Sequence, residues 1–139
     1  MNIFSYDIPY RTKSISARGR FFLTVGNTVL MRPQDPDEPP YVARVEELKN
    51  GARKNVNVRV RWYYRPEDTK CGRREFNGAK EVFLSDHYDT QSVDTIEDTC
   101  VVHSFKNYTK LESVASKDYF CRFEYMPTTG KFNPDRVPV

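Results

Sequence analysis

Nowhere does the 139-residue sequence carry an apolar run long enough to cross a membrane as a helix, which takes ~20 residues. Its opening stretch, "MNIFSYDIPYRTK", has no hydrophobic segment of the signal-peptide kind. Neither secretion nor membrane insertion is expected. Cysteine is scarce: Cys71, Cys100 and Cys121 are odd in number and show no C-x-x-C spacing. That gives no support to a disulfide framework or a zinc ribbon, and free thiols in a reducing compartment are the expectation. Histidine is scarcer still, at His87 and His103. The six glycines are scattered and form no phosphate-cradling loop. Without a nucleophile beside a base, a carboxylate pair or a metal cluster, catalysis is not expected, and neither is a cofactor.

Charge of neither sign dominates. The formal net charge is +3, short of the concentrated basic stripe of a nucleic-acid binder. One basic group is Arg11, Lys13, Arg18 and Arg20. The other, Arg59, Arg61, Arg65, Arg73 and Arg74, is interrupted by Glu67, Asp68 and Glu75. Within "SDHYD", His87 stands between Asp86 and Asp89, but neighbours in extended chain point to different faces, so a metal site is not expected there. His103, inside the apolar "VVHSF", reads as a barrel residue with its polar atoms satisfied.

What the chain has is aromatics, 14% of residues, and short strands. Residues 1–20 lack periodicity and read as an extended N-terminal lead-in, partly ordered by Phe4, Tyr6 and Tyr10, with the folded domain over 21–139. "FFLTVGNTVLMRP" reads as a strand pair broken at Gly26-Asn27. "QDPDEPP" must be a loop, "YVARVEEL" is a strand, and Asn50-Gly51 is the tip of the next turn. The polar "PEDTKCGRREFNGAK" is irregular or short helical, "EVFLSD" and "CVVHSF" are strands, "NYTKLESV" a short helix, and "DYFCRFEYMP" a late strand. Short strands with regular turn punctuation predict a mainly β fold: a distorted, partly open, mostly antiparallel barrel with short helices in its connections.

The clearest strand is "VNVRVRWYY". Val56, Val58, Val60, Trp62 and Tyr64 share one face by the period of two, and Asn57, Arg59, Arg61 and Tyr63 the other, which should be wet. Trp62 and Tyr64 can simply cap the core. They can also form a ledge where the core face meets the polar loop after Arg65-Pro66. A hairpin through the 49–55 turn brings Tyr41 to the same end of the barrel. Three aromatic faces around one point suit a quaternary ammonium, which has no N–H donor left to satisfy. Asp86 or Asp89 could add Coulomb attraction.

The strings "VGNTVLMRPQDPDEPPYVARVEEL", "VRVRWYYRPEDT", "GRREFNGAKEVFLSDHYDTQSVDTIEDTCVVHSF" and "DYFCRFEYMPTTGKFNPDRV" resemble the bromo-adjacent homology (BAH) domain, specifically that of plant BAH–PHD histone readers. The resemblance begins near residue 22. It implies a distorted β-barrel, a nuclear location, and binding of the histone H3 tail trimethylated at lysine 27, the Polycomb mark. It places the methyl-lysine cage on Tyr41, Trp62 and Tyr64, and peptide contacts on His87 and Asp89, with Asp86 beside them. Gly26-Asn27, Asn77 and Asp98-Thr99 depart from the family pattern without touching the cage. It also implies a PHD finger C-terminal to "PDRVPV", whose zinc spacing is not within these residues. Two further readings stand beside it: a protein-interaction module indifferent to methylation, and a module contacting nucleosomal DNA through Arg59, Arg61, Arg73 and Arg74.

Overall fold

The computed structural model describes residues 15–17, 21–50 and 55–134. Within them lie strands β1 (Ile15–Ala17), β2 (Phe21–Leu23), β3 (Thr28–Met31), β4 (Tyr41–Asn50), β5 (Val56–Tyr64), β6 (Phe83–Ser92), β7 (Ile96–Ser104), β8 (Asp118–Cys121), β9 (Glu124–Met126) and β10 (Lys131–Asn133), with one short α-helix, α1 (Phe105–Tyr108), and 3-10 turns at Pro66–Asp68 and Val93–Thr95. β1 and β2 form an antiparallel pair. The other eight make one sheet in the order β10-β9-β6-β5-β4-β3-β7-β8. Only β6–β9 and β7–β8 run parallel. The sheet curls until its β8 edge meets the chain entering β6: Glu81 bridges Phe120, and the Val82 N–H donates to the Phe120 carbonyl at 2.9 Å. The expected architecture, a mostly antiparallel and partly open barrel, is the one found.

Alternation builds its centre. Val56, Val58 and Val60 meet Val29, Met31, Val45 and Ile96 in the main apolar cluster, with Tyr41 and Trp62 packed at its margin. The expected strand over 56–64 is found residue for residue. One side of it departs from expectation: Tyr63 does not face solvent. It packs on a second cluster of Leu30, Val42, Val82 and Cys100, because β7 and β8 cover that side. Burial, the largest influence, pushes the Tyr63 phenol up to about 12.

Other differences have local causes. The turn at Gly26-Asn27 is present, with Gly26 at φ 97°. Its flanking strands part company, however: β2 pairs with β1, and β3 with β4 and β7. The polar stretch after "EVFLSD" continues as strand to Ser92, since β5 pairs with it from Tyr88 to Ser92. The short helix spans Phe105–Tyr108 rather than 107–114, starting where the Ser104 hydroxyl accepts the Asn107 N–H. The late strand is two strands, because β8 joins β7 while β9 joins β6. His103 is satisfied as expected, its Nε2 lying 2.8 Å from Asp118 Oδ1. Phe4, Tyr6, Tyr10 and Gly51 lie outside the described residues.

The break between β8 and β9 is where the barrel is clasped. Arg122 points inward to the buried Glu81, with Nε 2.8 Å from Oε2. Its guanidinium lies 4.7 Å from the Phe105 ring centroid and 5.5 Å from that of Phe123. Glu81 Oε1 also accepts the Gly78 N–H at 3.1 Å. A Cβ at residue 78 would sit 2.9 Å from the Phe120 ring, so only glycine lets that backbone approach.

Two predictions follow from this packing. Arg122→Ala leaves the Glu81 carboxylate buried without its cation, and urea denaturation should show a loss of about 3–5 kcal/mol. A loss within error of zero would show the clasp to be idle. Tyr63 ionises later when folded, so its contribution to stability is intact below the ordinary tyrosine range and falls as pH rises from about 10 through about 12. Tyr63→Phe should flatten that alkaline decline; an unchanged slope would assign it to other groups.

Candidate functional site

A defect in β6 shapes the site. Arg61 pairs with Tyr88, yet Tyr63 pairs with Leu84. Trp62 alone on β5 is therefore opposed by Ser85, Asp86 and His87, a bulge with two extra residues. Had the Arg61–Tyr88 register continued, Tyr64 would face Ser85. Instead it pairs with Phe83, and its side chain meets the His87 ring. The buried Ser85 hydroxyl holds the bulge from both sides, donating to the Trp62 carbonyl at 2.7 Å and accepting the His87 N–H at 3.0 Å. The Ser85 carbonyl accepts from Arg61 Nε.

Around this bulge lies a cavity of about 510 Å³, lined by Tyr41, Trp62, Tyr64, His87 and Asp89 among others. Tyr41 and Trp62 stand nearly perpendicular, at 79°, with centroids 6.0 Å apart. Ala43 pairs with Trp62, which carries Tyr41 toward the Tyr64 end of β5 as the hairpin register requires. Tyr64 is fixed by the His87 ring on one side, its hydroxyl 2.8 Å from Nδ1, and by the Tyr125 ring at 5.5 Å. Burial, aided by Tyr125, Asp68 and Asp86, raises its phenol above the ordinary tyrosine range.

Five of the six residues singled out in the sequence thus converge on one cavity. Asp86 does not line it: its side chain is exposed, although its charge is felt at Tyr64. Asp89 and Gln91 pair with Val60 and Val58, so they point to the face that elsewhere is core. Asp89 is held there, Oδ1 accepting the Thr90 N–H at 2.8 Å and Oδ2 the Gln91 amide at 2.9 Å. Two polar side chains are tolerated on that face because, among the described residues, no strand pairs with the second side of β6 there.

Sequence reasoning passed over Gln91 and the ionic rim. Arg65 lines the cavity, 5.9 Å from the Tyr41 centroid, and is gripped by Asp68 at 2.9 Å and Glu38 at 3.6 Å. The Glu38 contact ties the proline-rich loop to the end of β5. Spacing held two usable signals: Arg65-x-x-Asp68 around Pro66, and the period-two polar series His87, Asp89, Gln91. Four further arginines among the described residues have partners. Arg61 approaches Glu124 at 3.8 Å, Arg73 pairs with Glu67 at 3.0 Å, Arg74 lies between Phe76 and Phe132, and Arg59 stacks on Tyr88.

Removing the Ser85 hydroxyl tests how far the bulge holds the site. Ser85→Ala deletes the bond to the Trp62 carbonyl and the acceptor of the His87 N–H, and should destabilise the fold by about 1–3 kcal/mol in urea. It should also broaden the His87 ring resonances in an NMR spectrum. A stable variant with unchanged His87 signals would show that strand pairing alone sets the bulge.

The geometry sits on a chain whose relatives can be named. The family model of the BAH domain matches residues 22–136. The chromatin remodeling protein EBS of Arabidopsis thaliana is 63% identical over 114 residues, covering 82% of this chain and 49% of the relative. The chromatin remodeling protein SHL of the same plant is 57% identical over 136 residues, 97% of this chain and 56% of the relative. The chain therefore spans about half the length of the curated relatives it matches. Among solved structures, the yeast Rsc2 BAH domain superposes with a TM-score of 0.70 at 23% identity, over 88% of this chain and 53% of that one, which speaks for the fold. With its fold, its sequence profile and its relatives in agreement, this chain belongs to the BAH domain family.

Proposed function

We propose that the cavity holds the trimethylammonium of a methylated lysine on the histone H3 tail, with lysine 27 the site read, and that the chain serves as a non-catalytic nuclear chromatin reader in Polycomb-type repression. One observation carries it. Tyr41 and Trp62 meet at 79° with centroids 6.0 Å apart, and Tyr64 lines the same cavity. Two perpendicular rings and a third wall offer π faces to a cation from several directions, each contributing roughly 0.5–2 kcal/mol. A trimethylammonium gives up little hydration on entering. An unmodified ammonium would lose the water on its three N–H donors and find aromatic carbon.

Asp89, on the same wall, adds a carboxylate that its own hydrogen bonds keep in place. In this reading His87 does double duty, bracing Tyr64 and presenting its second ring nitrogen to the peptide. Lysine 27 as the site comes from the likeness to plant BAH–PHD readers; the cage itself reads the ammonium. The two Arabidopsis relatives are chromatin remodeling proteins by name, which supports a chromatin setting. A PHD finger beyond residue 139 would add a second methyl-lysine contact, and weak contact with nucleosomal DNA would leave the cavity unchanged.

Calorimetric titration with H3-tail peptides trimethylated at lysine 27, 9 or 4, or unmodified, checks this. Binding should select the lysine 27 peptide, and Trp62→Ala should weaken it at least ~tenfold, about 1.4 kcal/mol, in a protein that stays folded. Equal affinity for all four peptides would instead favour an interaction module indifferent to methylation.

A further inference from the structure

The two faces of β5 border different cavities. Trp62 and Tyr64 line the aromatic one; Tyr63, whose ring packs on Leu30, Val42, Val82 and Cys100, also lines a second, of about 470 Å³. The turn at Gly26-Asn27, Thr28, Arg44 and residues 99–102 of β7 form its other walls. Two donors on these walls lack an acceptor. Among the described residues the Tyr63 hydroxyl makes no hydrogen bond, and Arg44 uses only Nε, which donates to Glu46 at 2.7 Å. Both terminal nitrogens of Arg44 are thus left over. A tyrosine hydroxyl so largely buried ordinarily has a partner. The guanidinium and the phenol lie close enough for each to act on the other's charge. Their neighbours are already engaged: the Thr28 hydroxyl donates to the Cys100 carbonyl at 2.7 Å, and Asn27 Oδ1 accepts the Thr24 N–H at 2.9 Å.

Charge narrows the ligand. Arg44 is offset by Glu46, and Arg61, its cross-strand neighbour, approaches Glu124 at 3.8 Å. Lys117 pairs with Asp98 at 2.9 Å. Lys80, whose charge is felt at Cys100, is held by the Ser116 carbonyl and the Tyr119 ring rather than by an acid among the described residues, and so is the surplus cation. These surroundings balance a monoanion and not a dianion. We infer that this second cavity binds a small monocarboxylate group, its oxygens accepting from the Arg44 terminal nitrogens and the Tyr63 hydroxyl. A carboxylate offers two coplanar oxygens to the guanidinium fork and keeps a lone pair for the phenol. Burial pushes the Cys100 thiol up to about 11, so it stays neutral beside the anion. The site lies across β5 from the aromatic cavity and is independent of the methyl-lysine reading. A free short-chain acid and the acidic side chain of a peptide present the same group.

Heteronuclear NMR titrations of the whole chain at fixed ionic strength test this, with propionate, glutamate blocked at its α-amino and α-carboxyl groups, and inorganic phosphate as probes. Either carboxylate should shift the amides of residues 26–28 and 99–102 saturably. Arg44→Gln should weaken that binding at least ~tenfold by removing the charge-assisted pair. Tyr63→Phe should weaken it about two- to tenfold. It deletes only the hydroxyl and keeps the ring in the core, so it decides the matter even where the Arg44 variant fails to fold. Tighter binding of the blocked glutamate would support the site as one for a peptide side chain, and tighter binding of propionate as one for a free acid. Shifts that rise without saturating, affinity unchanged in Tyr63→Phe, or phosphate bound more tightly than both acids would overturn the inference.

Discussion

One hydroxyl group organises the site. Ser85 is buried, and it bonds at once to the strand opposite and to its own chain two residues on. A two-residue excess in a strand is costly unless the groups it unpairs find partners. Here the Trp62 carbonyl and the His87 amide both find the same oxygen. From that follow the offset that sets His87 against Tyr64 and the opening beside Trp62. Were β6 regular, the aromatic end of β5 would be sealed as core.

The bulge is in turn anchored from outside. β9 pairs with β6 at Leu84 and Ser85, where the irregularity begins. From β9, Tyr125 reaches back to pack on Tyr64, and its hydroxyl accepts the Lys70 N–H at 2.9 Å. β9 takes this position because the chain breaks at Arg122, and it breaks there because Arg122 turns in to Glu81. A buried ion pair contributes little net stability beside an apolar pair of the same shape. Its value here is positional: it decides which edge each half of residues 118–126 must join.

Interactions close in sequence were legible and those far apart were not. The valine alternation of residues 56–64 declares its strand, and the short connection to the preceding strand makes the approach of Tyr41 a matter of counting. His103 read as a satisfied barrel residue, and Asp118 satisfies it. Tyr63 was misread because its wet face is dried by β7 and β8, the latter more than fifty residues away. The division of residues 118–126 has the same origin. A two-residue bulge is harder still, since nothing in "LSDHYD" distinguishes a serine that pins a defect from one on a surface.

The open seam beside β6 ties the aromatic pocket to the strand edge. A barrel fully closed at that seam would have apolar residues where Asp89 and Gln91 now stand, and no route from solvent to Trp62. An open seam exposes backbone, which natural proteins restrain with inward-pointing charge. Asp89 does this, its carboxylate turned onto the neighbouring Thr90 amide. The same carboxylate faces the cavity, where a cation would feel it. One side chain thus discourages indiscriminate strand pairing along β6 and sets negative charge on the cavity wall.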